Sequence, residues 1–210
     1  MKFAAFFGLT GLVTALAIVA MPVASDAAKG GVATGEPAPA FTLTDSNGIE
    51  HSLSDFAGKT VVLEWTNHQC PFVKKFYDEG HMQGWQGEYT AEGDVVWLSI
   101  CSSAPGKQGH LSANGWNQKI QDKGINATAV LIDEDGTVGR AYAAKTTPHI
   151  YVIDGEGTLR YQGAIDSIRS TKTSDIDSAT NYLASAVDAV RVGSEVVTDT
   201  TTPYGCSVKY

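Results

Sequence analysis

Two runs near the middle of the chain are apolar without alternation, Thr60–Thr66 and Asp94–Ile100. Consecutive Val, Leu, Ile and Trp over so short a stretch predict strands buried on both faces, as in a parallel sheet. Thr128–Asp133 predicts a third strand, ending at the turn Asp135-Gly136. Between the first two runs the period changes. From Pro71, which suits a first helical position, Phe72, Val73, Phe76, Tyr77, Met82 and Trp85 recur at helical spacing. Gly80, Gly84 and Gly87 weaken that helix towards its end. Leu111–Lys123 predicts a second helix, and Asp175–Val192 an amphipathic one carrying Ile176, Ala179, Tyr182, Leu183, Ala186, Val187 and Val190.

Thr147–Asp154, the turn Gly155-Glu156-Gly157 and Thr158–Gly163 predict a β-hairpin. Before the first buried strand, Gly35–Thr44 reads as an extended lead-in with a short strand at its end, because Pro37 and Pro39 exclude a helix. Ser46-Asn47-Gly48 is a turn, and Ser52–Phe56 a second short segment. The tail to Tyr210 shows no usable periodicity. Strand–helix–strand–helix, a hairpin and a closing helix together predict an α/β domain. Its central mixed sheet has a parallel core, right-handed crossovers and an antiparallel edge, flanked by helices. An N-terminal extension and a C-terminal tail complete it.

The first residues change the picture of where the chain works. An apolar segment, Phe3–Ala24, follows Lys2 and runs into Pro22 and a series of small residues. This is the pattern of an export leader, expected over 1–28 with its cleavage point open, and leaves 29–210 as one domain. An uncleaved membrane anchor is the alternative; after cleavage no stable membrane insertion is expected. Export implies a periplasmic or cell-envelope location, where disulfides persist. The chain carries 23 acidic against 15 basic residues, a net charge of −8. That balance argues against a nucleic-acid partner, which needs a basic footprint.

Three cysteines are too few to staple a scaffold, so chemistry is the better reading. Cys70 follows a buried strand and precedes Pro71 and a helix. The free N–H groups and positive end of that helix favour the thiolate, which is the nucleophile. Lys74 and Lys75, one turn on, add positive potential if either points back. The plainer alternative is a buried, inert cysteine.

The segments Gly35–Leu43, Phe56–Leu63, Trp65–Val73, Val95–Ser99 and Thr146–Asp154 carry a resemblance. In this order they resemble the thioredoxin-like superfamily, most closely its AhpC/TSA (peroxiredoxin-like redoxin) branch. The resemblance covers most of the region from Gly35 to Gly163. It implies a thioredoxin-like fold, antioxidant or thiol oxidoreductase activity through Cys70, and a cis-proline, Pro148, facing that cysteine. Thr147 and Pro148 would then offer backbone hydrogen bonds to an incoming chain. A peroxide or disulfide is the expected substrate and an external thiol the expected reductant, with no cofactor or metal called for.

The departures matter. A Cys-x-x-Cys pair is absent, since Asn67 lies three residues before Cys70 and Val73 three after. Peroxiredoxins carry Thr-x-x-Cys, whereas Thr66 stands four residues before Cys70. Thr66 and Asn67 therefore enter the catalytic set with one residue of offset. The arginine that peroxiredoxins hold beside the sulfur has only Arg140 and Arg160 as candidates. Cys101 and Cys206 are either resolving thiols for Cys70 or a structural pair tying the tail to the sheet. Glu64 is a candidate proton relay if buried, or a strand residue reaching solvent. His68 and His149 converge on Cys70 for proton transfer or a metal site, or are ordinary hydrogen-bonded histidines. Presentation of Cys70, His68 and His149 to a metal ion or partner without turnover defines the alternative function, a non-catalytic metal- or partner-binding protein.

Overall fold

The computed structural model describes Met1 and residues 31–210. The expected leader, 1–28, lies outside the described residues apart from Met1. In chain order the elements are β1 (Thr42–Asp45), β2 (Glu50–Ser52), β3 (Thr60–Trp65), α1 (Pro71–Tyr77), α2 (His81–Thr90) and β4 (Val95–Cys101). There follow α3 (Ala113–Lys123), β5 (Ala129–Ile132), α4 (Thr137–Ala141), β6 (Thr146–Thr147), β7 (His149–Ile153), β8 (Leu159–Gly163), α5 (Tyr182–Arg191) and β9 (Cys206–Ser207). Seven strands form one sheet in the order β2-β1-β5-β4-β3-β7-β8. The centre is parallel, β3 beside β4 and β4 beside β5. Strand β7 joins β3 antiparallel and carries β8 as the expected hairpin.

Every residue of β3 and β4 is buried, which explains their unbroken apolar runs. On one face Val62, Trp97, Ile150 and Val152 pack against Phe76, Met82, Tyr89, Leu183 and Val187 of α1, α2 and α5. On the other, Leu63, Trp65, Leu98 and Tyr151 pack against Phe41, Val138 and Tyr142. Each such side chain, taken from water to the interior, contributes about 1.5–3 kcal/mol.

Two helices depart from expectation. The helix after Cys70 is short. It stops at Tyr77, because Gly80 takes the left-handed conformation (φ 85°), and the chain restarts as α2. The glycine breaks the helix rather than weakening its end. The last helix begins at Tyr182, seven residues later than its periodicity suggests. Asn181 caps it, its side-chain oxygen accepting the Ala184 N–H at 2.9 Å. Ile176 and Ala179 thus lie in the preceding irregular turn. The tail, featureless in sequence, forms β9 on β6, a two-stranded ladder separate from the main sheet.

Candidate active site

Strand β3 ends at Trp65, and a tight loop carries the chain to Cys70, the residue capping α1. Asn67 shapes this loop. Its carbonyl accepts the Cys70 N–H at 2.9 Å, its side-chain oxygen accepts the Gln69 N–H at 2.9 Å, and its amide donates to the Gln108 carbonyl at 3.1 Å. The Cys70 carbonyl in turn accepts the N–H groups of Val73 and Lys74, at 3.1 and 2.9 Å. Cys70 is completely buried.

The sulfur faces the loop before β7. The Thr147–Pro148 peptide is cis, and Cys70 Sγ lies 3.0 Å from the Thr147 carbonyl oxygen. Strand β9 closes the site. It pairs antiparallel with β6, Cys206 opposite Thr147, and Cys206 Sγ lies 2.8 Å from Cys70 Sγ. That exceeds the roughly 2.05 Å of a disulfide, and the cysteines are free thiols. Gly205 permits the approach, for a Cβ there would fall onto the Thr147 carbonyl.

Two tyrosines pin this strand. The Tyr204 hydroxyl donates to Asp166 and lies 3.2 Å from Lys75 Nζ, which is ion-paired to Asp166 at 2.6 Å and donates to the Ile168 carbonyl at 3.1 Å. Lys75, Asp166 and Tyr204 are all buried. Beyond Cys206, the Tyr210 ring occupies a socket in which a Cβ at Gly136 or Gly139 would collide with it. Its hydroxyl donates to the Ala144 carbonyl at 2.8 Å. The second thiol is therefore held on both sides.

Electrostatics separate the two sulfurs. Burial pushes the Cys70 thiol up, but hydrogen bonds from the Cys206 thiol and backbone, the Val73 N–H and Thr147 outweigh it and hold Cys70 below its ordinary value. Burial and the neighbouring Cys70 sulfur push Cys206 up to about 11. Cys70 is the more acidic sulfur of the pair. Of the two lysines beside it in sequence, Lys75 is turned inward to Asp166, while Lys74 is exposed.

Other candidates lie elsewhere. Cys101 is buried at the end of β4 against Trp116 and Val130, 3.6 Å from the Gly109 carbonyl oxygen. Its thiol is pushed up by burial. The structural Cys101–Cys206 pairing is not the arrangement found, because β9 is drawn to the open edge of β6 instead. Glu64 is fully buried on the same sheet face as Cys70, not turned to solvent. Tyr77, Gln86, Trp97 and Ser99 donate to its carboxylate, and desolvation still raises its pKa. None of these partners is Cys70.

His149 sits on the opposite sheet face, its ring tilted 42° to that of Tyr151 with centroids 4.5 Å apart. Its Nδ1 accepts the Lys145 N–H at 3.3 Å, and burial lowers its pKa to about 3. His68 packs edge-on to Trp116 at 5.7 Å. The two histidines do not converge on Cys70, since alternate residues of β7 point to opposite faces. Among the described residues no cluster of three His, Cys, Asp or Glu is placed to hold a metal. Thr66 is buried, its N–H donating to the Ile100 carbonyl at 2.9 Å. Arg140 stacks on Tyr210 at 4.6 Å and Arg160 pairs with Asp154 at 3.6 Å, so both are committed away from the sulfur.

A cysteine at a strand-to-helix junction, facing a cis-proline loop at one end of a mixed sheet, is the arrangement of a thioredoxin-like fold. Residues 34–162 match the AhpC/TSA family, and the chain belongs to it. Among curated proteins it is similar to the "Thiol-disulfide oxidoreductase ResA" of Geobacillus kaustophilus (strain HTA426). The two are 29% identical over 139 residues, covering 63% of this chain and 70% of that protein. The Bacillus subtilis (strain 168) protein of the same name is 27% identical, covering 63% and 68%. Among solved structures, a hypothetical protein from Sinorhizobium meliloti 1021 superposes with a TM-score of 0.72 at 25% identity, covering 86% of this chain and 96% of that one.

Proposed function

We propose that the chain is a thiol-disulfide oxidoreductase whose redox pair is Cys70 and Cys206. The observation that carries this reading is the 2.8 Å separation of the two sulfurs beside the cis-Pro148 loop. Likeness to proteins named as thiol-disulfide oxidoreductases supports it. The chain has no Cys-x-x-Cys, so the second thiol comes from a position 136 residues away.

The chemistry follows from the unequal thiols. In the reduced chain the Cys70 thiolate attacks one sulfur of an external disulfide, forming a mixed disulfide and expelling the other sulfur as a thiolate. Cys206, once deprotonated, attacks Cys70 Sγ; the Cys70–Cys206 bond forms and the second substrate thiolate leaves. The substrate gains two electrons and the chain loses two. An external thiolate attacks Cys206, the half-buried sulfur, and expels Cys70, whose lower pKa makes it the better leaving group. A second external thiol then attacks the external sulfur of the mixed disulfide, freeing Cys206 and leaving as the external disulfide. Thr147 and Pro148 supply the backbone on which a substrate segment lies, and the two-residue β9 lifts to admit it.

Peroxide is the weaker substrate in this account, because Arg140 and Arg160 are both engaged away from the sulfur. The apolar segment Phe3–Ala24 supports export to an envelope compartment, where such an exchange has disulfide substrates. No described helix is long and apolar enough to cross a membrane.

The test is turnover of glutathione disulfide with dithiothreitol, or of insulin disulfides. Cys70→Ser is expected to abolish exchange, and Cys206→Ser to stop at a mixed disulfide on Cys70. Full activity in Cys70→Ser, or hydrogen peroxide consumed far faster than any disulfide, would overturn the reading.

A further inference from the structure

Beside the loop that leads to Cys70, helices α1 and α3 stand apart over β4 and β5. They leave a pocket of about 330 Å³. Its inner wall is apolar and aromatic, made by Val73, Tyr77, Trp116, Ile125 and Val130, with the buried Thr66 and Ser99 beside them. Its rim is cationic. Lys74 and Lys123 are exposed there and Lys119 is half-buried. Asp78, the acidic residue of the lining, is taken by Lys123 at 2.9 Å. Lys74 and Lys119 form no salt bridge with a described residue. Both also bear on His68: burial first, then the charges of Lys119 and Lys74, lower that imidazole's pKa.

Two ammonium groups without counter-ions at the mouth of an apolar pocket are unexpected in a chain of net charge −8. The volume is at the small end of the range for ligand pockets, about 300–1,000 Å³. No described residue fills it, and apolar wall left facing water forgoes the free energy of burial. An anion at the rim and a hydrocarbon or aryl body inside would satisfy both halves of the lining.

We infer that this pocket is a binding site for a small carboxylate with an apolar body, its acid group between Lys74 and Lys119 and its apolar part against Trp116 and Tyr77. The site lies next to the thiol loop, since His68 and Gln69 line it and Cys70 follows them in sequence. It does not depend on the redox reading, because binding needs neither sulfur.

Calorimetric titration of the full chain with octanoate tests the inference, with 1-octanol as the uncharged control. Saturable one-to-one binding of octanoate is expected, at least about tenfold tighter than octanol and weakened by added salt. Lys74→Glu and Lys119→Glu are each expected to weaken octanoate binding by about tenfold while leaving octanol unaffected. Val130→Phe fills the pocket and abolishes binding. The lysine variants carry the test if Val130→Phe does not fold. The same titration on Cys70→Ser is expected to be unchanged, which separates this site from the thiol chemistry. No saturable binding at about 5 mM, equal binding of octanol, or octanoate binding indifferent to both charge reversals would overturn the inference, the last two marking non-specific apolar adsorption.

Discussion

Replacing Tyr204 by Phe removes one hydroxyl and keeps the ring, which meets Phe72 edge-on at 5.8 Å. The lost group bonds Asp166 and lies 3.2 Å from Lys75 Nζ, in surroundings where both charged side chains are at most 2% exposed. Solvent screening is therefore slight. A hydrogen bond to a charged group contributes about 1.5–3 kcal/mol, and Asp166 Oδ1 keeps the Ile168 N–H as a partner, so a loss of about 2 kcal/mol is reasonable. That loss falls on docking of the segment that covers Cys70. If the tail opens and recloses faster than Cys70 reacts, the reaction rate follows the open population, and 2 kcal/mol raises it by about 30-fold. The assay is iodoacetamide labelling of the reduced protein, quenched over time and resolved by peptide mass, so that Cys70 is scored apart from Cys206. Labelling of Cys70 accelerated by less than about twofold, in a variant with native circular dichroism, would refute the latch and the role given to Lys75 and Asp166.

Three further outcomes follow from the same contacts. Gly139→Ala places a methyl 2.6 Å from the Tyr210 ring and 2.8 Å from Ser102 Oγ; urea unfolding should show a loss of about 1–3 kcal/mol, with faster Cys70 labelling as the tail's end is displaced. Cys101→Ser should leave Cys70–Cys206 exchange intact, since its thiol points to the Gly109 carbonyl, which a serine hydroxyl can use. His149, neutral in the fold with a pKa near 3, binds a proton near pH 6.5 only on unfolding; stability present above 6.5 is lost as pH falls towards 3, by at most about 1.4 kcal/mol per pH unit. His149→Asn, which keeps an acceptor for the Lys145 N–H, should flatten that slope in denaturant titrations between pH 7 and 4.5.

Much of this was legible in the chain because burial writes itself into period. The apolar runs of β3 and β4 mark central strands, whereas Thr147-Pro148 marks the loop facing the thiol only through the family resemblance, since by itself the pair reads as the start of a strand. The break at Gly80 was not legible, since a glycine within helical spacing signals either a weakened helix or a stop, and its left-handed φ decides. Nor was the start of α5, where Asn181 caps against a pattern running on both sides. The tail was the largest gap. Strand β9 has two residues and no apolar period, so its place is set by the open edge of β6 and by the sockets for Tyr204 and Tyr210. Two tyrosines flanking a cysteine, with a glycine beside it, were the available signal. His149 was misplaced by counting proximity to Pro148 without the strand's alternation: Ile150 and Val152 face the thiol side, His149 and Tyr151 the other.

The identity of the disulfide formed on oxidation tests the account most directly. The reduced full chain is treated with one equivalent of glutathione disulfide, quenched with acid, alkylated and mapped by peptide mass. The account predicts one linkage, between the peptides bearing Cys70 and Cys206, with Cys101 recovered as an alkylated thiol. A Cys101–Cys206 linkage, or glutathione retained on Cys70 with Cys206 free, would contradict it.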